Sequence, residues 1–213
     1  SIPTLKSYPT IEHTVSHDIP VVVFDKLDGS NIRAEWNRKQ KKFYKFGSRN
    51  VLLDETSNTN ELSSAIPLIR EKYEQELTER FLKQQYQEAV CFFEFFGPNS
   101  FAGFHQPDDL KTVVLFDINV HKQGILYPTE FVKLTKGLEI PTIIHQGKFG
   151  VDLQQQVAEG TLEGMTFEGV VCKSVSPVKK GFPPWMFKYK NQAWLKKLKQ
   201  FANGDEALEN RLK

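Results

Sequence analysis

From Pro20 to Lys26 the chain reads PVVVFDK, a β-branched apolar run that predicts a buried strand. The turn signal Asp28-Gly29-Ser30 follows, and Ile32 to Trp36 resumes as a second strand. Lys42 to Gly47 (KFYKFG) supplies a third, so a β-meander is expected here. Between Glu61 and Val90 the spacing becomes helical. Ile69, Tyr73 and Leu77 recur every four residues, Phe81, Leu82 and Tyr86 continue the stripe, and Pro67 falls in the first turn. Strands are expected again at Ala89 to Phe96 and Thr112 to Val120, around a loop from Gly97 to Asp109 rich in Gly, Pro, Asn and Asp. Tyr127 to Gly137 and Val151 to Glu159 predict short helices, and Phe167 to Lys173 and Met186 to Tyr189 two more strands. Asn191 can cap a last helix, QAWLKKLKQFA, that stops at Gly204. With no repeat, linker or low-complexity tract, the expectation is one α+β domain with a substantial antiparallel sheet.

Composition narrows the class. The chain has 213 residues, 39% hydrophobic and 25% charged, which supports a real core and excludes global disorder. No apolar run approaches the roughly 18 residues of a membrane span, and the start of the chain lacks the pattern of a signal peptide. Cys91 and Cys172 lie inside apolar segments and predict two buried thiols of a reduced protein. The expected setting is therefore intracellular: cytoplasmic, or a viral protein within a host cell. The net charge of +2 hides an asymmetry. Gly169 to Gly204 contains eight lysines and no acid, leaving 20 basic and 26 acidic residues elsewhere. A basic segment on an acidic remainder suits either a polyanion partner or a solvated lysine-rich face.

The chemistry concentrates at a few positions. Lys26 ends a buried strand, where partial desolvation makes a neutral amine nucleophile accessible. Gly29 lets the chain turn sharply beside it. Arg49 follows the third strand in Phe46-Gly47-Ser48-Arg49-Asn50. Glu94 in CFFEFFGP, Asp117 in LFDI and Glu168 in EGVV are isolated acids in apolar surroundings, each costly unless partnered. Lys188 and Lys190 share one strand face by alternation. Together these residues suit a site for a phosphorylated, metal-bound substrate. His105, His121 and His145 show no metal-ligand spacing, and Trp36, Trp185 and Trp194 read as core or helix-packing residues. Trp185, beside Pro183 and Pro184 in the basic segment, is the tryptophan to test for contact with a polyanion, and Lys179 and Lys180 suit phosphate contact or solvation equally.

In this order the motifs resemble the covalent nucleotidyltransferase superfamily of ATP-dependent ligases and mRNA capping enzymes. The resemblance runs from Tyr8 to about Lys199. It is nearest to the RNA ligase branch of the T4 RNA ligase 2 and RNA-editing type: Lys26 to Asn31 ends in Asn, Glu94 to Pro98 gives Glu-Phe-Phe-Gly-Pro, and Lys188 to Asn191 gives Lys-x-Lys-Asn. The resemblance implies a nucleotidyltransferase domain of antiparallel sheets flanked by helices, over residues 1–213. It implies that Lys26 attacks the α-phosphate of ATP to form a lysine–AMP adduct. The AMP then passes to an RNA 5′-phosphate, and a 3′-hydroxyl displaces it to seal the strand. By the same resemblance Lys188 and Lys190 neutralise the α-phosphate, and Glu168 serves a Mg²⁺ or Mn²⁺ site. Glu94 meets the ribose, Phe116 stacks on adenine with Asp117 in support, and Asp25 lies beside the base. Asn31 and Arg49 contact phosphate or the nucleic-acid end.

The sequence departs from the superfamily after Asn191. Neither the OB-fold domain of DNA ligases and capping enzymes nor the helical C-terminal domain of the RNA ligase branch fits in Gln192 to Lys213. The expectation is thus a minimal ligase or an isolated catalytic domain, monomeric, with an accessory protein or domain possible for gripping RNA. The alternatives are a DNA ligase or capping-type catalytic domain, and a catalytically silent nucleic-acid-binding module.

Overall fold

The computed structural model describes residues 7–56, 60–96, 111–177 and 181–213. The loop from Gly97 to Asp109 with His105, and Lys179 and Lys180, lie outside the described residues. The chain forms two compact units. One holds residues 7–10, 29–56, 60–96 and 111–140; the other holds 11–28, 141–177 and 181–213.

In the first unit, β1 having ended the preceding segment at Pro20–Lys26, the strands are β2 (Ser30–Asn37), β3 (Lys42–Ser48), β4 (Leu52–Leu53), β5 (Glu88–Phe96), β6 (Thr112–Val120) and β7 (Gly124–Ile125). They form one antiparallel sheet in the order β4-β3-β2-β5-β6-β7. The expected meander is its first half. Alternation sends Ile32, Ala34 and Trp36 of β2, and Ala89, Cys91, Phe93 and Phe95 of β5, into the main core. The helical run covers that core: a tight turn at Glu61–Ser64, α1 (Ala65–Ile69), a wider turn at Arg70–Glu74 and α2 (Gln75–Lys83). Ile69, Tyr73, Leu77 and Phe81 are all buried, as their spacing requires. The run ends at Lys83 because Gln85 takes a left-handed conformation (φ 60°) and turns the chain into β5. A short helix α3 (Pro128–Leu134) closes this unit. The opposite sheet face carries a smaller cluster of Val90, Phe92 and Ile125 with Tyr8 and Phe116 against it.

The second unit is built on β1, β8 (Ile143–Lys148), β9 (Gly169–Ser174) and β10 (Met186–Lys190), antiparallel in the order β10-β9-β1-β8. Here β1 is an inner strand, which accounts for its unbroken apolar run. Val21, Val23, Val170, Cys172 and Phe187 face a core completed by Phe149 and by Val157 of α4 (Val151–Glu159). Asn191 accepts a hydrogen bond from the Ala193 N–H and caps α5 (Gln192–Ala202), which buries Trp194 and Leu198. Asp205 caps α6 (Glu206–Leu212). The structure thus has two sheets where hydrophobic patterning alone suggested one. Both cysteines are free and buried. Among the described residues no helix is long and apolar enough to cross a membrane.

Candidate active site

The site is assembled on the polar face of the four-stranded sheet. Lys26, last in β1, pairs with Gly169, first in β9, and Gly169 pairs in turn with Lys190 at the end of β10. Two lysines therefore flank a glycine in one row across three strands. No side chain fits in the middle. A Cβ on Gly169 would run into the carbonyl oxygen of Tyr189 and come within 2.9 Å of the Lys190 Cα. Glu168 immediately precedes this glycine and supplies the missing negative charge. Its Oε2 meets Lys26 Nζ at 3.0 Å and also takes a short ion pair from Lys190 Nζ. Both ammonium groups are bonded to Oε2, so Oε1 is left for a third partner.

Burial governs the electrostatics. Glu168 and Lys190 are both buried, while the Lys26 side chain keeps 21% exposure, so the nucleophile candidate is the accessible member. Burial works against ionising Glu168, but Lys26 and Lys190 outweigh it and hold its carboxyl below the usual range. Lys190 is pushed down to about 7, by burial first and then by the charge of Lys26, with Glu168 opposing. Its Nζ also lies 4.3 Å from the centre of the Trp194 ring, so this helix residue doubles as the floor under the lysine.

Two further residues border the cluster. Asp25 points to the other side of β1 and is buried. Its carboxylate accepts hydrogen bonds from the Thr166 N–H (2.9 Å) and hydroxyl (3.0 Å). Burial lifts its pKa to about 6 against the lowering effect of those bonds. The expectation of Asp25 beside a base thus meets a carboxylate already bound to Thr166. His13 was not singled out by sequence, since an isolated His carries no spacing signal. The segment before it pairs with β10, the Lys188 N–H donating to the Glu12 carbonyl at 2.9 Å. Burial, and then the charges of Lys188, Lys190, Lys213 and Lys26, lower the His13 pKa.

The remaining candidates lie in the first unit. Asn31 and Glu94 are direct cross-strand partners on the face opposite the main core. Arg49 is exposed in a turn where the Ser48 N–H donates to the Val51 carbonyl at 2.8 Å. Phe116 is half-buried, its ring 4.9 Å from that of Tyr8 and edge-on to it. Asp117 is fully buried and accepts the Tyr8 hydroxyl at 2.7 Å, which satisfies the acid that looked anomalous in sequence. Trp36 and Trp194 are core residues, and Trp185 packs on Phe187. Among the described residues no group of three His, Cys, Asp or Glu side chains could hold a metal.

The fold is similar to solved structures of Naegleria gruberi RNA ligase. A variant of that enzyme with AMP and Mn matches with a TM-score of 0.65 at 21% identity, over 92% of this chain and 59% of that one. Another variant, with ATP and Mn, matches at 0.66 and 19% identity with the same coverage. A third, apo, matches at 0.62 and 21% identity, over 94% of this chain and 61% of that one. The chain thus spans about three fifths of the length of the structures it resembles. No curated protein sequence matches it. The profile of the RNA ligase family matches residues 19–190, which contain β1 with Lys26, Glu168 and both lysines of β10. The chain belongs to the RNA ligase family.

Proposed function

We propose that this chain is the adenylyltransferase domain of an ATP-dependent RNA ligase, the two units together forming that domain. The observation that carries the reading is the Lys26–Glu168–Lys190 row, an accessible amine between a buried carboxylate and open solvent with a second cation beside it. The partly exposed Lys26 ammonium gives up a proton to solvent water and leaves its bond to Glu168. The Nζ lone pair then attacks the α-phosphorus of ATP, the bond to the β-phosphate oxygen breaks, and pyrophosphate leaves. Lys188 and Lys190 are the charges available to the α-phosphate oxygens as they crowd the pentacoordinate phosphorus. An oxygen of an RNA 5′-phosphate then attacks the adenylate phosphorus, the bond from that phosphorus to Lys26 Nζ breaks, and the lysine regains a proton from water. A 3′-hydroxyl attacks that phosphate, forming the phosphodiester and releasing AMP.

A divalent ion, Mg²⁺ or Mn²⁺, suits Glu168 Oε1, although among the described residues no second carboxylate joins it there. It would be held largely through water and phosphate oxygens, and when bound it supplies positive charge to the phosphates. Glu94 is assigned to the ribose, Phe116 to adenine, and Asn31 and Arg49 to phosphate or the RNA end. Asp25 is assigned to the place beside the base, and its bonds from Thr166 tie it to the segment that carries Glu168. The working protein is read as a cytoplasmic monomer, with a further domain or protein helping to hold RNA. Incubation with α-labelled ATP and Mg²⁺ should label the protein, and Lys26→Ala should abolish the label. Folded wild-type protein that takes no label would falsify the reading.

A further inference from the structure

We infer that Arg33 is a phosphate-binding residue, an assignment that rests on the ligase reading for the identity of its ligand. Alternation along β2 buries Ile32 and Ala34 in the main core and puts Arg33 on the face that carries Asn31 and Glu94. Its cross-strand partners there are Gly47 on β3 and Phe92 on β5. The guanidinium lies directly over Gly47. A Cβ at that position would stand 2.5 Å from Cζ and 2.6 and 2.7 Å from the two terminal nitrogens. The glycine is therefore the space the fork occupies.

The fork is positioned but not neutralised. Nη1 donates to the carbonyl oxygen of Ser48, and Nε is buried without a partner. Among the described residues no carboxylate pairs with Arg33. Glu35, two residues along the same face, is turned towards Lys45 at 3.9 Å. Two other half-buried arginines are paired, Arg70 with Glu55 and Glu74 and Arg80 with Glu76, while Arg38 donates to the Leu82 carbonyl at 3.4 Å and lacks the buried Nε that marks Arg33. A half-buried guanidinium held by one neutral carbonyl is under-bonded, and an oxyanion is the ligand that repairs this. The guanidinium binds carboxylate and phosphate alike, and under the ligase reading the oxyanion at hand is a phosphate. Ser48, whose carbonyl it holds, directly precedes Arg49, so the same contact anchors the turn that displays a second arginine.

The phosphate could come from RNA or from the nucleotide, and the test separates them. Arg33→Gln, Arg33→Lys and Gly47→Ala would be compared with wild type in three measurements. These are binding of 5′-phosphate and 5′-hydroxyl RNA across a salt series, the KM for ATP in lysine labelling, and the thermal midpoint. Arg33→Gln should weaken RNA binding about tenfold and reduce the slope of log K against log salt by about 0.7, one single-strand phosphate contact. Gly47→Ala keeps the charge but displaces the fork, and should reproduce most of that loss. Arg33→Lys should restore the slope but not the affinity. A deficit confined to 5′-phosphate RNA assigns the terminal phosphate, and an equal deficit on both RNAs assigns an internal one. A deficit confined to the KM for ATP assigns the nucleotide. Unchanged RNA binding and KM in Arg33→Gln overturn the inference. So does a loss in all arms that tracks the thermal midpoint, since a purely structural staple behaves that way. Absence of label on the wild type would sink the ligase reading alone, because the RNA-binding arm does not depend on it.

Discussion

The carboxylate of Asp25 is bound by the backbone N–H and the hydroxyl of Thr166, a residue 141 positions later in the chain. Asp25 directly precedes Lys26, and Thr166 stands two residues before Glu168. This contact therefore ties the strand end that presents the amine to the segment that presents the carboxylate. Thr166→Val removes one donor from a buried carboxylate and should cost about 1–3 kcal/mol in urea unfolding. It should also slow lysine labelling more than Thr166→Ser, which keeps the hydroxyl. Equal labelling rates for the two variants would remove the positioning role.

The same carboxylate gives the protein a pH signature. Its pKa is raised from 3.8 to about 6, so the folded chain holds a proton on Asp25 that the unfolded chain has already lost. The contribution is fully present below about pH 4 and disappears as pH rises through 6. At 1.36 kcal/mol per unit it amounts to about 3 kcal/mol. Subtracting the urea stability of Asp25→Asn from that of wild type at pH 4, 5 and 6 should reveal this decline. A flat difference would contradict it.

Glu168 holds two cations, and its removal should be felt in stability as well as activity. Lys190 sits near 7 with Glu168 holding its proton on, so Glu168→Gln should drop it further and leave it neutral at pH 7. The loss from forcing an unpaired ammonium into the fold, about 3–5 kcal/mol at most, should therefore be largest near pH 5, where wild type keeps the ion pair, and fade towards pH 9, where Lys190 is neutral in both. Lys26→Ala leaves the Lys190–Glu168 pair in place and should unfold close to wild type while taking no label. Denaturation of both variants at pH 5 and 9 checks the contrast.

Gly169 should tolerate no side chain. Its would-be Cβ meets the Tyr189 carbonyl and the Lys190 backbone, so Gly169→Ala must part β9 from β10 where both site lysines converge. We expect destabilisation of at least about 3 kcal/mol and loss of labelling. Gly204→Ala is the control. That glycine also has positive φ (88°), but a Cβ there meets nothing within 4 Å, so a cost of about 1 kcal/mol and full labelling are expected.

Legibility in the sequence followed the strength of local signals. PVVVFDK announced itself because an inner strand is apolar throughout, and the helical stripe from Ile69 to Phe81 because one face is buried. β8 was missed because IIHQGK is a half-exposed edge strand whose only apolar residues are its first two. Patterning could not divide the strands between two sheets, since pairing partners such as β1 and β9 lie far apart in the chain. Lys26, Glu168 and the β10 lysines were legible as motif residues. Their sharing of Oε2 was not, nor was the Trp194 ring beneath Lys190, because both depend on tertiary approach. Arg33 was invisible for a simpler reason: an arginine in a strand is unremarkable until its missing counter-ion is seen.

The inner position of β1 also bears on how the protein is made. Its two neighbours are β8 and β9, which begin at Ile143 and Gly169. During synthesis at about 5–20 residues per second, the VVVF segment leaves the ribosome on the order of ten seconds before any strand exists to pair with it. For that interval it is an unpaired, β-prone apolar stretch of the kind that aggregates or recruits chaperones. The strand that carries the proposed nucleophile is therefore also a vulnerable part of the nascent chain, and fragments ending before Ser174 should be insoluble when expressed alone.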